Sequence, residues 1–163
     1  MNLAPALTGA AIDAAVATGW VCFDPNHLFP GDEEAALVFF ADCALQISDR
    51  LPGRKFFVVD ELGSFISGNS IPKRFKHFVR VARRYGIDCV WMAQGPNGIN
   101  TAVRDQLTEV VCHRLDDTCS LDFPLQRGFS EKELRALPLR QYQPGAKYYW
   151  ISRDQLGREA RGD

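Results

Sequence analysis

Two adjacent carboxylates, Asp60 and Glu61, follow directly on the apolar run Phe56-Phe57-Val58-Val59. Paired carboxylates can hold a hard divalent cation through oxygen and can take a proton from water. Further along, Val90-Trp91-Met92-Ala93 runs into Gln94, whose amide can donate to an anionic oxygen and accept from water at once. Glu109-Val110-Val111-Cys112-His113 runs into Arg114, and Trp20-Val21-Cys22-Phe23 runs into Asp24. A carboxylate pair, an amide and a guanidinium are the groups that phosphoryl transfer needs. Taken singly, each is also an ordinary strand terminus, and Asp60-Glu61 can equally be a solvated acidic turn. The chemistry requires elements that bring them to one edge.

The pattern of apolar residues supplies such elements. Lys55 to Val59 does not alternate polar and apolar residues, so it predicts a parallel strand covered on both faces, with Asp60 and Glu61 beyond its carboxyl end, where open parallel sheets bind ligands. Trp20 to Pro25 predicts a second buried strand, Asp88 to Ala93 a third and Glu109 to His113 a fourth, with a late strand over Lys147 to Ile151. Between them fall helices over Leu3 to Thr18, ended by Gly19, and over Glu33 to Asp49, capped by Asp32. Gly63 to Ile71 reads as loop. Pro72 opens a helix through Tyr85 whose apolar stripe is Phe75, Phe78, Val79 and Ala82, and Gly86 ends it. Asn100 caps a short helix through Gln106, and Ser130 with Glu133 forms a capping box for a helix to Ala136. Strands alternating with helices predict an α/β domain of three layers around a mainly parallel sheet, single over residues 1–152, with a frayed polar tail over 153–163.

At 163 residues and 46% hydrophobic, the chain has material for one substantial core. The net charge of −1 conceals an asymmetry. Residues 1–52 hold seven acids against the single base Arg50, whereas residues 73–84 hold six bases and no acid. Like charges crowded on one helix repel unless an anion compensates, so Lys73, Lys76 and Arg80 are candidates for DNA contact; a plain solvated face is the alternative. The five cysteines are odd in number and without a C-x-x-C pair, and His113 lacks a ligand set for zinc, so they predict small core thiols with no disulfide partner. No apolar stretch approaches the ~20 residues of a membrane span and no secretory start is present, which predicts a soluble, cytoplasmic protein.

Four apolar residues followed by Asp60-Glu61 make a Walker B pattern. Together with the basic segment Ala82-Arg83-Arg84-Tyr85-Gly86-Ile87 and with Val90-Trp91-Met92-Ala93-Gln94-Gly95-Pro96, it resembles the FtsK/HerA superfamily of DNA-pumping P-loop ATPases. Viral genome-packaging ATPases and the Zot-like assembly ATPases of filamentous phages are its nearest flavours. The resemblance covers residues 55–116 and implies a P-loop NTPase (RecA-like) domain using ATP and Mg²⁺. It implies Asp60 as the Mg²⁺ acid, Glu61 as the catalytic acid and Gln94 as the γ-phosphate sensor. Arg83 becomes an arginine finger reaching a neighbouring subunit, Arg114 a second phosphate-facing residue, and the assembly a homo-oligomeric ring, usually a hexamer. A phage-encoded chain would work in the host cytoplasm.

One departure is large. The family carries G-x-x-x-x-G-K-S/T ahead of the Walker B strand, and no Gly-Lys-Ser/Thr occurs in this chain. The expectation is that the chain begins just past the phosphate loop, as a truncated gene, split subunit or fragment, or that it is a paralogue that lost nucleotide binding. The functions implied are an ATP-driven motor for DNA translocation, packaging or virion assembly, and alternatively a nucleotide-binding-defective structural or regulatory ring subunit. A flavodoxin-like binding domain is a third class.

Overall fold

The computed structural model describes residues 4–66, 70–139 and 147–163. Where the sequence suggested one domain, contacts divide the chain into two compact units, Met1–Gln94 with Gly98–Gln106, and Gly95–Asn97 with Leu107–Asp163. No helix among the described residues is long and apolar enough to cross a membrane.

In the first unit, α1 (Ala4–Thr18) ends as expected at Gly19, whose φ of 78° is open to glycine, and whose N–H donates to Ala15 O at 2.9 Å. The buried strand expected at Trp20 to Pro25 is absent. Trp20 is 70% exposed and Pro25 opens the short helix α2 (Pro25–Leu28). An apolar run becomes a strand only where a neighbour accepts its hydrogen bonds, and no ladder pairs with this one. Helix α3 (Glu33–Arg50) starts where the acids predict, with the Asp32 carboxylate accepting from Ala35 N–H at 3.1 Å.

Strand β1 (Lys55–Val59) is parallel to β2 (Ile87–Trp91), with Phe57 opposite Cys89 and Val59 opposite Trp91. Between them lie α4 (Leu62–Phe65) and α5 (Lys73–Val81), the latter tightening into a 3₁₀ turn over Ala82–Tyr85. Residues 67–69 of the expected loop lie outside the described residues. The inward face carries Phe57 and Trp91 onto α5, with ring centroids 4.8 Å apart for Phe57–Phe78 and 5.6 Å for Phe75–Trp91. Leu37 and Ala41 of α3 and Val103 of α6 (Thr101–Arg104) close the same core. Gly86, φ 67°, turns the chain into β2 so tightly that a Cβ there would lie 3.2 Å from Gly53 O.

The expectation that β1 is covered on both faces fails. Phe56 and Val58 are 66% and 55% exposed, and Val90 and Met92 accompany them on that side. The run lacks alternation because both faces are apolar, yet helices of the described residues pack on one face only.

In the second unit the sheet is antiparallel: β3 (Glu109–Cys112), β4 (Trp150–Asp154) and β5 (Glu159–Gly162), in that order. The parallel membership expected of Glu109 to His113 is thereby corrected, and the late strand starts at Trp150 rather than Lys147. Cys112, Leu121, Phe129, Leu134 and Ile151 form the core, with α7 (Asp122–Gln126) and α8 (Glu131–Ala136) alongside. Ser130 precedes α8 without a side-chain cap bond, and the Glu133 carboxylate, the other half of the expected box, pairs with Arg161 and Arg153. The tail is not frayed. The Asp154 carboxylate accepts from the N–H groups of Leu156 and Arg158 at 2.9 Å, and Gly157, φ 75°, completes a hairpin into β5.

Candidate functional site

The carboxyl ends of β1 and β2 are laced together by one residue. Met92 N–H donates to Val59 O at 3.0 Å, and Met92 O accepts from Leu62 N–H at 2.9 Å. Asp60 and Glu61 are therefore looped out between two fixed points, opposite a residue only two positions before Gln94. Of the five residues the sequence expected at one edge, Asp24, Asp60, Glu61, Gln94 and Arg114, the backbone brings together Asp60, Glu61 and the segment leading to Gln94. Asp60 and Gln94 are exposed and Glu61 is half-buried.

Glu61 has φ 52° and ψ 55°, the single non-glycine residue with positive φ among those described. This left-handed conformation costs a residue with a Cβ about 1–2 kcal/mol, so the surrounding bonds must impose it. The Leu62 tether and a bond from Ser64 N–H to Glu61 O at 2.9 Å do so. Immediately beyond, Gly63 meets Gly98 backbone to backbone, where a Cβ at 63 would sit 3.2 Å from both Gly98 Cα and O. Sequence reasoning missed this seat. Its signal was present in Gly63 following Asp-Glu-Leu and in the turn Pro96-Asn97-Gly98.

The remaining candidates fall elsewhere. Asp24 lies in the segment that forms no strand. Arg83 is exposed on the 3₁₀ turn. Arg114, in the second unit, has its guanidinium engaged with Asp116 at 2.8 Å and with Leu137 O at 3.4 Å. Lys73 and Arg80 are exposed on α5 and Lys76 is half-buried there. Of the six bases between 73 and 84, Arg74 alone makes an ion pair among the described residues, to Asp42 at 2.7 Å. No group of three or more His, Cys, Asp or Glu among the described residues is arranged to hold a metal ion.

All five cysteines are free. Burial pushes the Cys89 thiol up to about 12, with the Asp88 carboxylate adding to the effect, and burial alone pushes Cys112 up to about 11. These two and Cys43 behave as the small core groups expected, whereas Cys22 and Cys119 are exposed and correct that expectation for themselves.

No protein-family model and no curated protein matches the sequence. Solved structures do. The genome packaging NTPase B204 from Sulfolobus turreted icosahedral virus 2, in complex with AMPPCP, matches with a TM-score of 0.72 at 11% identity over 93% of this chain and 70% of that one. The same NTPase with ATP-gammaS gives 0.65 at 10% identity over 81% and 64%. B204, the DNA-packaging ATPase from Sulfolobus Turreted Icosahedral Virus, gives 0.67 at 11% over 91% and 75%. This chain thus spans between about two thirds and three quarters of each neighbour. At such identities the likeness establishes the fold, a mixed α/β architecture with a parallel sheet like that of a viral packaging NTPase.

Proposed function

We propose that the chain is the hydrolytic part of an ATP-driven motor that translocates or packages DNA, or drives phage virion assembly, in the FtsK/HerA and Zot-like manner. The observation that carries the reading is the Met92 lacing, which holds Asp60 and Glu61 beside the segment leading to Gln94 on a fold shared with a packaging NTPase. ATP analogues bound to that NTPase support the choice of nucleotide.

The donor set suits Mg²⁺. This ion takes one or two carboxylates, and completes its octahedron with water and phosphate oxygens, so a site without three protein ligands is compatible with it. Asp60 would hold it, and the bound ion would neutralise charge on the transferring phosphoryl group. Glu61, fixed in its left-handed conformation, would accept the proton of the attacking water. Gln94 would donate its amide to the γ-phosphate oxygen and accept from that water. Arg83 would reach the nucleotide of an adjacent subunit in a homo-oligomeric ring, a hexamer in the resembled family. Arg114 as a second phosphate contact would have to exchange its Asp116 partner for phosphate. Lys73, Lys76 and Arg80 would meet the DNA.

The phosphate cradle is not among these residues, since the chain holds no Gly-Lys-Ser/Thr. In the full three-layer fold, a segment carrying G-x-x-x-x-G-K-S/T would cover the Phe56 and Val58 face and bring backbone N–H groups to the phosphates. The same absence favours a second reading, a structural or regulatory ring subunit that no longer binds nucleotide. Calorimetry with Mg·ATP separates the two. The 163-residue chain alone is expected to show no micromolar affinity, and addition of the phosphate-loop segment is expected to restore it. Restoration failing would favour the structural subunit, and tight binding by the chain alone would contradict both.

A further inference from the structure

A cleft of about 290 Å³ lies in the first unit between α5 and α6, apart from the acidic edge. Lys76 and Arg80 line one wall, four positions apart on one helix face, and Thr101, Asp105 and Gln106 line the other. Neither Lys76 nor Arg80 makes an ion pair among the described residues, although Asp105 shares the cleft with them. Lys73 and Arg84 continue the basic stripe beyond it. The Thr101 hydroxyl accepts from Arg104 Nη2 at 3.2 Å, which leaves its own O–H to donate outward. Gln106 is exposed and brings an amide.

We infer that this cleft is a binding site for the phosphodiester backbone of duplex DNA, gripped by Lys76 and Arg80, hydrogen-bonded by Thr101 and Gln106, and weakened on purpose by Asp105. The inference rests on the reading of the chain as a DNA-handling protein, and supplies the site and its manner of binding. Two cations and two neutral donors match a singly charged phosphate and its oxygens. Nothing that reads a base edge is required, so the grip is blind to sequence. A carboxylate in a phosphate site would be a defect in a protein that must hold on tightly. In one that must release each phosphate as the duplex advances, it lowers affinity where affinity would stall movement. A solvated helix face offers no reason for a hydroxyl and an amide to converge opposite its bases.

The test is equilibrium binding of the whole chain to a fluorescent duplex of about 20 base pairs, in two unrelated sequences, across a salt series and without any nucleoside triphosphate. Because no turnover is read, its outcome is independent of the ATPase assignment. The wild-type chain is expected to bind both sequences alike. Lys76→Ala with Arg80→Ala is expected to weaken binding about tenfold at ~0.1 M salt and to lower the salt slope by about 0.9, the contribution of one phosphate. Thr101→Val should weaken binding about threefold with the salt slope unchanged, as a neutral donor must. Asp105→Asn should tighten binding about two- to fivefold, the size of an exposed charge interaction. That gain cannot come from misfolding. No duplex binding by the wild type, or no change in both the double variant and Asp105→Asn, would overturn the inference. So would tripolyphosphate binding in the cleft while the duplex does not bind, which would make it a site for free phosphate. Loss of self-association in the double variant without duplex binding would make it a contact between copies of the chain, and would overturn the inference too.

Discussion

Glu61 combines two properties, a carboxylate at the carboxyl end of β1 and a left-handed backbone that a residue with a Cβ resists. Removing the side chain should therefore separate stability from function. Glu61→Gly relieves about 1–2 kcal/mol of left-handed strain, and the added freedom of glycine in the unfolded chain costs about 0.4–1 kcal/mol. A net gain of about 0.5–1 kcal/mol in urea unfolding is expected, whereas an equal or larger loss would show that the backbone at 61 is not strained. The adjacent Gly63→Ala should behave oppositely, losing about 1–3 kcal/mol, because its Cβ meets Gly98 backbone and not a side chain that can swing away. Cys89 makes a pH prediction of known sign. Its folded pKa, about 12, lies above the ordinary thiol value of 9.0, so the stability gained by keeping it protonated is complete below pH 9 and drains as pH rises from there toward 12. Unfolding measured at pH 7, 9 and 10.5 should show that decline, and Cys89→Ala should flatten it. The residue types of the edge were legible in the sequence. The strain at Glu61 was not, since a positive φ at glutamate leaves no trace in composition and arises only from the hydrogen bonds on either side.

At the level of elements, local signals were read correctly where a single segment decides its own state. Asp32, Gly19, Pro72 and Gly86 each bound a helix in the predicted place, because caps and breakers act through neighbours a few positions away. Trp20 to Pro25 and Glu109 to His113 were misjudged for a common reason: whether an apolar run pairs, and in which direction, depends on residues far along the chain. Cys112 faces Ile151 across an antiparallel ladder that nothing near position 112 announces. In the Ser130 box the Glu133 carboxylate is taken up by Arg161 and Arg153, distant in sequence, and so does not reach back to the cap. Helix α5 is the element on which the acidic edge depends, since Phe75 and Phe78 hold both strands from behind. Phe75, fully buried, should cost about 3–5 kcal/mol as Phe75→Ala, measured by thermal or urea unfolding. A cost under 1 kcal/mol would mean that the strand pair is held by something other than this aromatic packing.

For the whole molecule, the distribution of charge was visible from the outset and the division into two units was not. The acid-rich first 52 residues and the basic helix are arithmetic on the sequence, whereas a boundary near Gln94 and Leu107 depends on which segments pack together. The uncovered apolar face of β1 and β2 also belongs to this scale. A parallel pair exposing Phe56 and Val58 is unusual for a class of sheet that is normally buried on both sides. The central claim is that Asp60, Glu61 and Gln94 form the hydrolytic edge of an ATPase. Its most direct test is ATP turnover by the chain supplied with a segment carrying G-x-x-x-x-G-K-S/T, comparing wild type with Glu61→Gln. The account predicts that Glu61→Gln retains nucleotide binding while turnover falls about 10²- to 10⁴-fold, the contribution of a positioned general base. Turnover unchanged by that substitution would contradict it.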